Sequence, residues 1–238
     1  MKAVVDHLEH HLQTSIRKEQ FRPLGLATGR TMEPLYAALV HRLRSWPTDR
    51  LQLLRQLWLS FNLDEYVGLS AQDPCSFAAF MEQHLQMPLG LDACQVCLPD
   101  GAAADPAKAA RDYSALLDAA GGVGLQILGL GGNGHVGFNE PPCGPVVSTR
   151  VVRLSTPTRK QNAFSFGGDY LQVPHEAITL GLREILAAEQ IHLIVTGSAK
   201  KNILRRMLEQ GSDPSLPASW LRRHPRFIIW ADDSALGS

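Results

Sequence analysis

The segment Ile127-Leu128-Gly129-Leu130-Gly131-Gly132-Asn133-Gly134-His135-Val136-Gly137-Phe138-Asn139-Glu140 carries the densest chemistry in this 238-residue chain. An apolar run from Val123 to Leu130 breaks into Gly129, Gly131, Gly132 and Gly134, and an imidazole and a carboxylate follow at His135 and Glu140. Glycines after a buried strand permit positive φ and let the backbone approach a ligand closely. Imidazole titrates near neutrality and suits proton transfer. The layout is that of an active site at the carboxyl end of a strand. Spacing alone does not name the reaction, and His135 could equally be a hydrogen-bonded structural residue.

Three other places carry comparable groups. Asp64 and Glu65 end an apolar strand side by side, where alternation sends them in opposite directions, so one of them can face a site. A carboxylate there also serves as a helix or turn cap. Thr28-Gly29-Arg30-Thr31 lies between a strand and a helix, where backbone amides and the helix dipole favour a phosphate, a plain threonine cap being the alternative. It lacks the Gly-Lys-Ser/Thr ending of a Walker loop. Lys200 opens the last long helix, as a point charge for an anion or as a solvated side chain.

The elements that must position these groups alternate along the chain. Periodicity predicts helices over 3–18, 32–45, 74–86, 105–119, 178–188 and 199–209, and strands over 23–28, 56–62, 123–130, 149–154, 191–196 and 226–231. Such alternation predicts a mostly parallel sheet between helices. The stretches 141–147 and 163–173 read as surface loops, the second a candidate mobile lid. No linker or repeat divides residues 1–238, which read as one domain.

Composition narrows the partners. Lys plus Arg equals Asp plus Glu at 23 each, so no bulk field draws nucleic acid or an acidic membrane, and an anionic substrate needs local cations and amides. No apolar run reaches the roughly 20 residues of a membrane helix, and no secretory signal is apparent, so a cytoplasmic protein is expected. Cys94 and Cys97 have C-x-x-C spacing without a second ligand pair, so these and Cys75 and Cys143 read as structural or incidental thiols and no metal is expected. His7, His10 and His11 read as a solvated helix face opposite Val4, Val5, Leu8, Leu12 and Ile16.

The glycine–histidine segment through Pro141 resembles the signature of the glucosamine-6-phosphate deaminases, which are related to the 6-phosphogluconolactonases. Phe61–Leu69, Leu24–Thr31, Val173–Thr179 and Gly197-Ser198-Ala199-Lys200 resemble further blocks of that family, in order over nearly the whole chain. The resemblance implies a Rossmann-like three-layer α/β/α fold and deamination with aldose–ketose isomerisation of an amino-sugar phosphate, without a cofactor, in a monomer or homo-oligomer. It implies Asp64 as the base and His135 as the ring-opening acid/base, with Glu140 and Asn133 orienting the histidine. Thr28, Gly29, Arg30, Thr31, Gly131 and Lys200 would bind substrate.

Several positions depart from the family pattern. Asn133 stands where a carboxylate is usual, which keeps an acceptor and loses its charge. Phe164 stands where the family has a phosphate-gripping arginine, and Arg30 where it usually has glycine. Val152, Pro142 and Cys143 depart from the activator site of the larger allosteric members, so no such site is expected. The family's leading β-strand is also missing ahead of the first helix, which would leave a neighbouring strand unpaired or otherwise covered. An isomerase for another amino-sugar phosphate such as galactosamine 6-phosphate, a 6-phosphogluconolactonase and a non-catalytic sugar-phosphate sensor are the alternative functions.

Overall fold

The structure is a computed structural model describing residues 1–18 and 21–237. In chain order the strands are β1 (Leu24–Leu26), β2 (Ser60–Asn62), β3 (Asp64–Tyr66), β4 (Val96–Cys97), β5 (Leu125–Gly129), β6 (Arg150–Arg153), β7 (Glu176–Thr179), β8 (Gln190–Val195) and β9 (Phe227–Ala231). The α-helices are α1 (Lys2–Arg17), α2 (Glu33–Arg44), α3 (Thr48–Leu57), α4 (Phe77–Met81), α5 (Met87–Leu89), α6 (Pro106–Ala119), α7 (Thr156–Asn162), α8 (Leu182–Leu186), α9 (Lys201–Glu209) and α10 (Asp233–Leu236).

Six strands form a parallel sheet in the order β4-β2-β1-β5-β8-β9. The chain builds outward from β1 through β2 to β4, then returns to build β5, β8 and β9 on the other side. Between β1 and β5 the winding therefore reverses. Strand register puts Leu26, Ile127 and His192 on one face, under α1, whose His7 ring packs at a tilt against His192. Phe61 lies on the other face, 5.6 Å between centroids from Tyr113 of α6. Val4, Val5, Leu8 and Leu12 of α1 and Leu35, Leu39 and Leu43 of α2 are buried in the first layer, and Tyr113 and Leu117 of α6 in the second. Helices thus cover both faces, as the alternation predicts.

Three strands make a smaller antiparallel sheet, β3-β7-β6. Leu63 joins the two sheets. Its N–H donates to Leu26 O in the large sheet (2.9 Å), and its carbonyl accepts from Leu180 N beside the small one (2.7 Å). The chain changes sheets within one residue, and Asp64 follows immediately.

Four expectations change. Residues 176–179 form β7, and helix in the expected 178–188 span is confined to α8. Ala177, Ile178 and Thr179 are all buried, so the strand shows no period of two, and a short apolar run does not separate strand from helix. The strand expected from 56 begins at Ser60 because α3 extends to Leu57. The 163–173 stretch starts with a 3-10 turn, Ala163–Phe166, closed by Gly167 at φ 65°. The histidines of α1 are not one solvated face. His10 is exposed, but His7 packs on His192 with ring centroids 4.6 Å apart and lies 5.8 Å from Trp230.

His192 is fully buried. Its Nδ1 accepts from Trp230 Nε1 (3.1 Å), and its Nε2 has no partner among the described residues. Burial first, then His7 and His11, lowers its pKa from 6.5 to about 4. In the unfolded chain this histidine takes up its proton near 6.5, so between 6.5 and 4 the unfolded state binds more protons than the native state. The contribution of His192 to stability is therefore flat above 6.5 and falls with acidification through that window. The limiting slope for one titrating group is about 1.4 kcal/mol per pH unit. Between pH 6.5 and 4 the urea midpoint of His192→Phe should fall less steeply than that of the wild type, while stability at pH 7 is lower, because Trp230 loses its acceptor. A slope unchanged in the variant would show that His192 is not the group responsible.

Candidate active site

A cavity of about 480 Å³ opens between the loops that follow β1 and β5. This is where the winding of the sheet reverses, the position at which open α/β sheets bind ligands. Thr28, Gly29, Arg30 and Thr31 line one end, together with Lys200 from beyond β8. Asp64, Gly131, His135 and Gly137 line the cavity as well, and Phe164 reaches in from the 3-10 turn. The fold therefore brings eight of the ten expected residues to the cavity wall. Asn133 and Glu140 stand behind it.

Asp64 is 6% exposed and lies at the start of β3 rather than at the end of the main-sheet strand. Among the described residues no donor bonds to its carboxylate. Gly137, at φ 55°, passes close over it, and a Cβ there would stand 3.4 Å from Asp64 Oδ2 and 3.0 Å from Thr179 Oγ1. Burial first, and then the charge of Glu65, pushes the Asp64 pKa up from 3.8 to about 8. The neighbouring side chain turns the other way, as strand alternation requires. Glu65 accepts from the backbone N–H groups of Tyr66 (2.8 Å), Phe77 (3.0 Å) and Ala78 (2.8 Å), the last two opening α4. One carboxylate is committed to structure and the other is left free.

His135 is 7% exposed, and its carbonyl accepts from Gly131 N (2.9 Å). Glycine is needed at position 131, because a Cβ would overlap the imidazole ring. Asn133 Oδ1 accepts from the backbone N–H of His135 (3.2 Å) and lies 2.6 Å from its Nδ1. An amide oxygen can only accept, so Nδ1 carries the proton and Nε2 holds the free lone pair. Burial first lowers the His135 pKa to about 4; Glu140 opposes this and Lys200 adds to it. The ring is a neutral base at neutral pH.

Glu140 makes no hydrogen bond to His135 and acts on it through charge alone. Its Oε1 accepts from Ser155 N (3.3 Å), the residue that caps α7. The orienting contact expected of this carboxylate belongs to Asn133. The loop carrying Glu140 is held by Asn139, whose Nδ2 donates to Val136 O (3.0 Å) and Leu180 O (2.8 Å) and whose Oδ1 accepts from Arg150 (2.9 Å). Asn139 thus ties the glycine–histidine loop to the same Leu180 that bonds to Leu63.

The far end of the cavity is cationic. Gly29 takes φ 103°, and α2 follows with its N-terminus toward the loop. Thr31 Oγ1 lies 3.4 Å from Thr196 Oγ1, which joins this loop to the end of β8. Among the described residues neither Arg30 nor Lys200 makes a salt bridge. Burial, then the charge of Arg30, lowers the Lys200 pKa. Two uncompensated cations beside a helix N-terminus make an anion site. Among the described residues no three His, Cys, Asp or Glu side chains gather as metal ligands, and no helix is long and apolar enough to cross a membrane.

Sequence reasoning missed Gln161 and Cys75. Gln161 lines the cavity and accepts from Gly132 N–H (3.3 Å), and Cys75 lines it beside Phe77 and donates to Ser165 O (3.1 Å). Neither carries a local signal, because each reaches the cavity only through tertiary packing.

A family model described as glucosamine-6-phosphate isomerases/6-phosphogluconolactonase matches residues 1–230. The chain is 39% identical over 221 residues to the glucosamine-6-phosphate deaminase of Halalkalibacterium halodurans, covering 93% of this chain and 87% of that protein. It is 36% identical to glucosamine-6-phosphate deaminase 2 of Bacillus subtilis, covering 98% and 94%. Among solved structures, a monomeric glucosamine-6-phosphate deaminase superposes with a TM-score of 0.85 at 32% identity, covering 98% of this chain and 95% of that one. The 6-phosphogluconolactonase of Thermotoga maritima, at 20% identity and a TM-score of 0.75 over 97% and 93%, shares the fold.

The Asn133 contact makes the protonation of His135 testable. Asn133→Asp places a negative charge on Nδ1–H, which favours the imidazolium and should raise the histidine's pKa above 4 toward neutrality. A histidine-detected NMR titration reads this directly. No rise, or a fall, would show that residue 133 does not control the ring.

Proposed function

The chain belongs to the family of glucosamine-6-phosphate isomerases and 6-phosphogluconolactonases, and on that premise we propose that it converts glucosamine 6-phosphate and water to fructose 6-phosphate and ammonia. The observation that carries the reading is the polarity of one cavity. An unpaired buried carboxylate that feels neither cation, a neutral imidazole on which Lys200 acts, and two cations without salt bridges share its wall. A hexosamine phosphate has the complementary layout, with acidic C–H and O–H bonds at C2 and C1 and a dianion at C6.

The phosphate sits between the N-terminus of α2, Arg30 and Lys200, and this anchors C1 and C2 at the other end. Nε2 of His135 takes the proton from the C1 hydroxyl and returns it to the ring oxygen, which opens the sugar to its aldehyde. Asp64, as carboxylate, removes the C2 proton and delivers it to C1, while one proton of the C2 ammonium passes to O1, so that the aldehyde becomes a CH2OH group and C2 a protonated imine. The resulting C2 imine adds water and expels ammonia. A raised pKa makes Asp64 the stronger base once ionised, and the substrate's C2 ammonium supplies the opposite charge that favours ionisation. Asn133 keeps the proton on Nδ1 and so keeps Nε2 available.

All the groups invoked come from one chain, so a monomer suffices, and the reaction uses no cofactor. The four cysteines are unpaired, which fits a reducing, cytoplasmic setting.

Ammonia release, measured on glucosamine 6-phosphate, galactosamine 6-phosphate and 6-phosphogluconolactone as control, tests the reading. Glucosamine 6-phosphate should be consumed with stoichiometric ammonia. Asp64→Asn should slow turnover by about 10²–10⁴-fold and leave sugar-phosphate binding nearly intact. Wild-type turnover in the variant would remove Asp64 from its role, and lactone hydrolysis without ammonia release would replace the assigned reaction.

A further inference from the structure

Phe164 is an apolar side chain in an unusual position. It is 70% exposed, yet it lines the cavity from the 3-10 turn Ala163–Phe166. At that exposure little of the ring's apolar surface is removed from water, so burial contributes little to its placement. The ring faces Arg30, whose guanidinium carbon lies 5.6 Å from the ring centroid. The ring is the only side-chain group that holds the guanidinium among the described residues, where Arg30 donates no hydrogen bond and makes no salt bridge.

The arrangement leaves the guanidinium's chemistry free. An aromatic face occupies the flat side of the cation, while the N–H groups around its edge stay available for a planar pair of phosphate oxygens. The negative ring face also offsets the repulsion between Arg30 and Lys200. The segment bearing Phe164 touches two more walls: Gln161 accepts from Gly132 N–H, and the Ser165 carbonyl accepts from the Cys75 thiol. Residues 161–165 thus span the mouth between the loop after β1, the loop after β5 and the segment before α4. Each attachment is a single polar or cation–ring contact, and Gly167 (φ 65°) and Gly168 (φ 87°) close the turn.

We propose that Phe164 is a positioning residue for phosphate recognition: its ring holds the Arg30 guanidinium at the anion end of the cavity with its N–H edge free. The role rests on the reading that this end takes the substrate's phosphate. It acts on ground-state binding through Arg30, and the C2 proton transfer lies on the other side of the cavity.

The test is a double-variant cycle on the whole chain, with inorganic phosphate as the calorimetric probe and glucosamine 6-phosphate for steady-state rates. Phe164→Leu should weaken phosphate binding about two- to fivefold, the range of an exposed cation–ring contact. KM should rise by a similar factor with kcat nearly unchanged, and Phe164→Tyr should restore both. In an Arg30→Ala background Phe164→Leu should have no further effect, because the contact is already gone. Undiminished phosphate affinity in Phe164→Leu, or an equal loss with and without Arg30, would overturn the proposal. So would a wild-type chain that does not bind phosphate. If the wild type bound phosphate with this coupling but released no ammonia, the assigned reaction would fail and the role of Phe164 would stand.

Discussion

The carboxylate of Asp64 is buried with no counter-charge and no donor among the described residues, and much of the structure serves that constraint. An unpaired buried carboxylate is expensive, and here the cost appears as a pKa of about 8 in place of 3.8. The position survives because the backbone around it is over-determined. Leu63 is bonded into the large sheet on one side and to Leu180 on the other, and Asp64 pairs with Thr179 in the small sheet. Thr179 Oγ1 accepts from Phe138 N (3.1 Å), and Asn139 donates to Leu180 O. The base and the histidine loop are therefore fastened to the same two residues at the end of β7.

The two ionisable groups on that side of the cavity are both shifted by burial, in opposite directions along the pH scale but to the same electrical effect. Burial disfavours charge, so the carboxyl titrates high and the imidazole low. Asp64 and His135 are therefore close to neutral at neutral pH, while Arg30 and Lys200 make no salt bridge among the described residues. On the proposed reading an amino-sugar phosphate reverses that pattern, its dianion meeting the cations and its ammonium meeting the carboxylate. Substrate thus supplies the charges that make the site competent. This links the phosphate grip, at one end, to the ionisation of Asp64, at the other.

Much of this was legible in the chain because the informative residues are local. The strand, glycines and histidine at 123–135 are one continuous word, and the alternation of elements gave the parallel sheet. Asp64 and Glu65 were correctly sent to opposite sides by strand geometry. The second sheet was not legible, because β7 is buried on both faces and reads like any short apolar run. The histidine's partner was half legible: Asn133 stood out as a lost charge, but that it, and not Glu140, would hold Nδ1 depends on how the loop folds back. Phe164 and Arg30 each registered as a departure, and only their meeting across 134 residues of chain joins the two. Likewise, helical periodicity placed His7 on a polar face without revealing that His192 lies beneath it.

The central claim is that Asp64 is a carboxylate of high pKa until substrate arrives. Carbon-13 NMR of side-chain carboxyl groups, followed from pH 3 to 10 in the ligand-free protein and assigned by its loss in Asp64→Asn, measures this directly. The account predicts a single carboxyl resonance with a midpoint near 8, moving to lower pH when an amino-sugar phosphate binds. A midpoint near 4 for Asp64 in the empty protein would contradict it, since the carboxylate would then have found a partner or solvent that this structure does not give it.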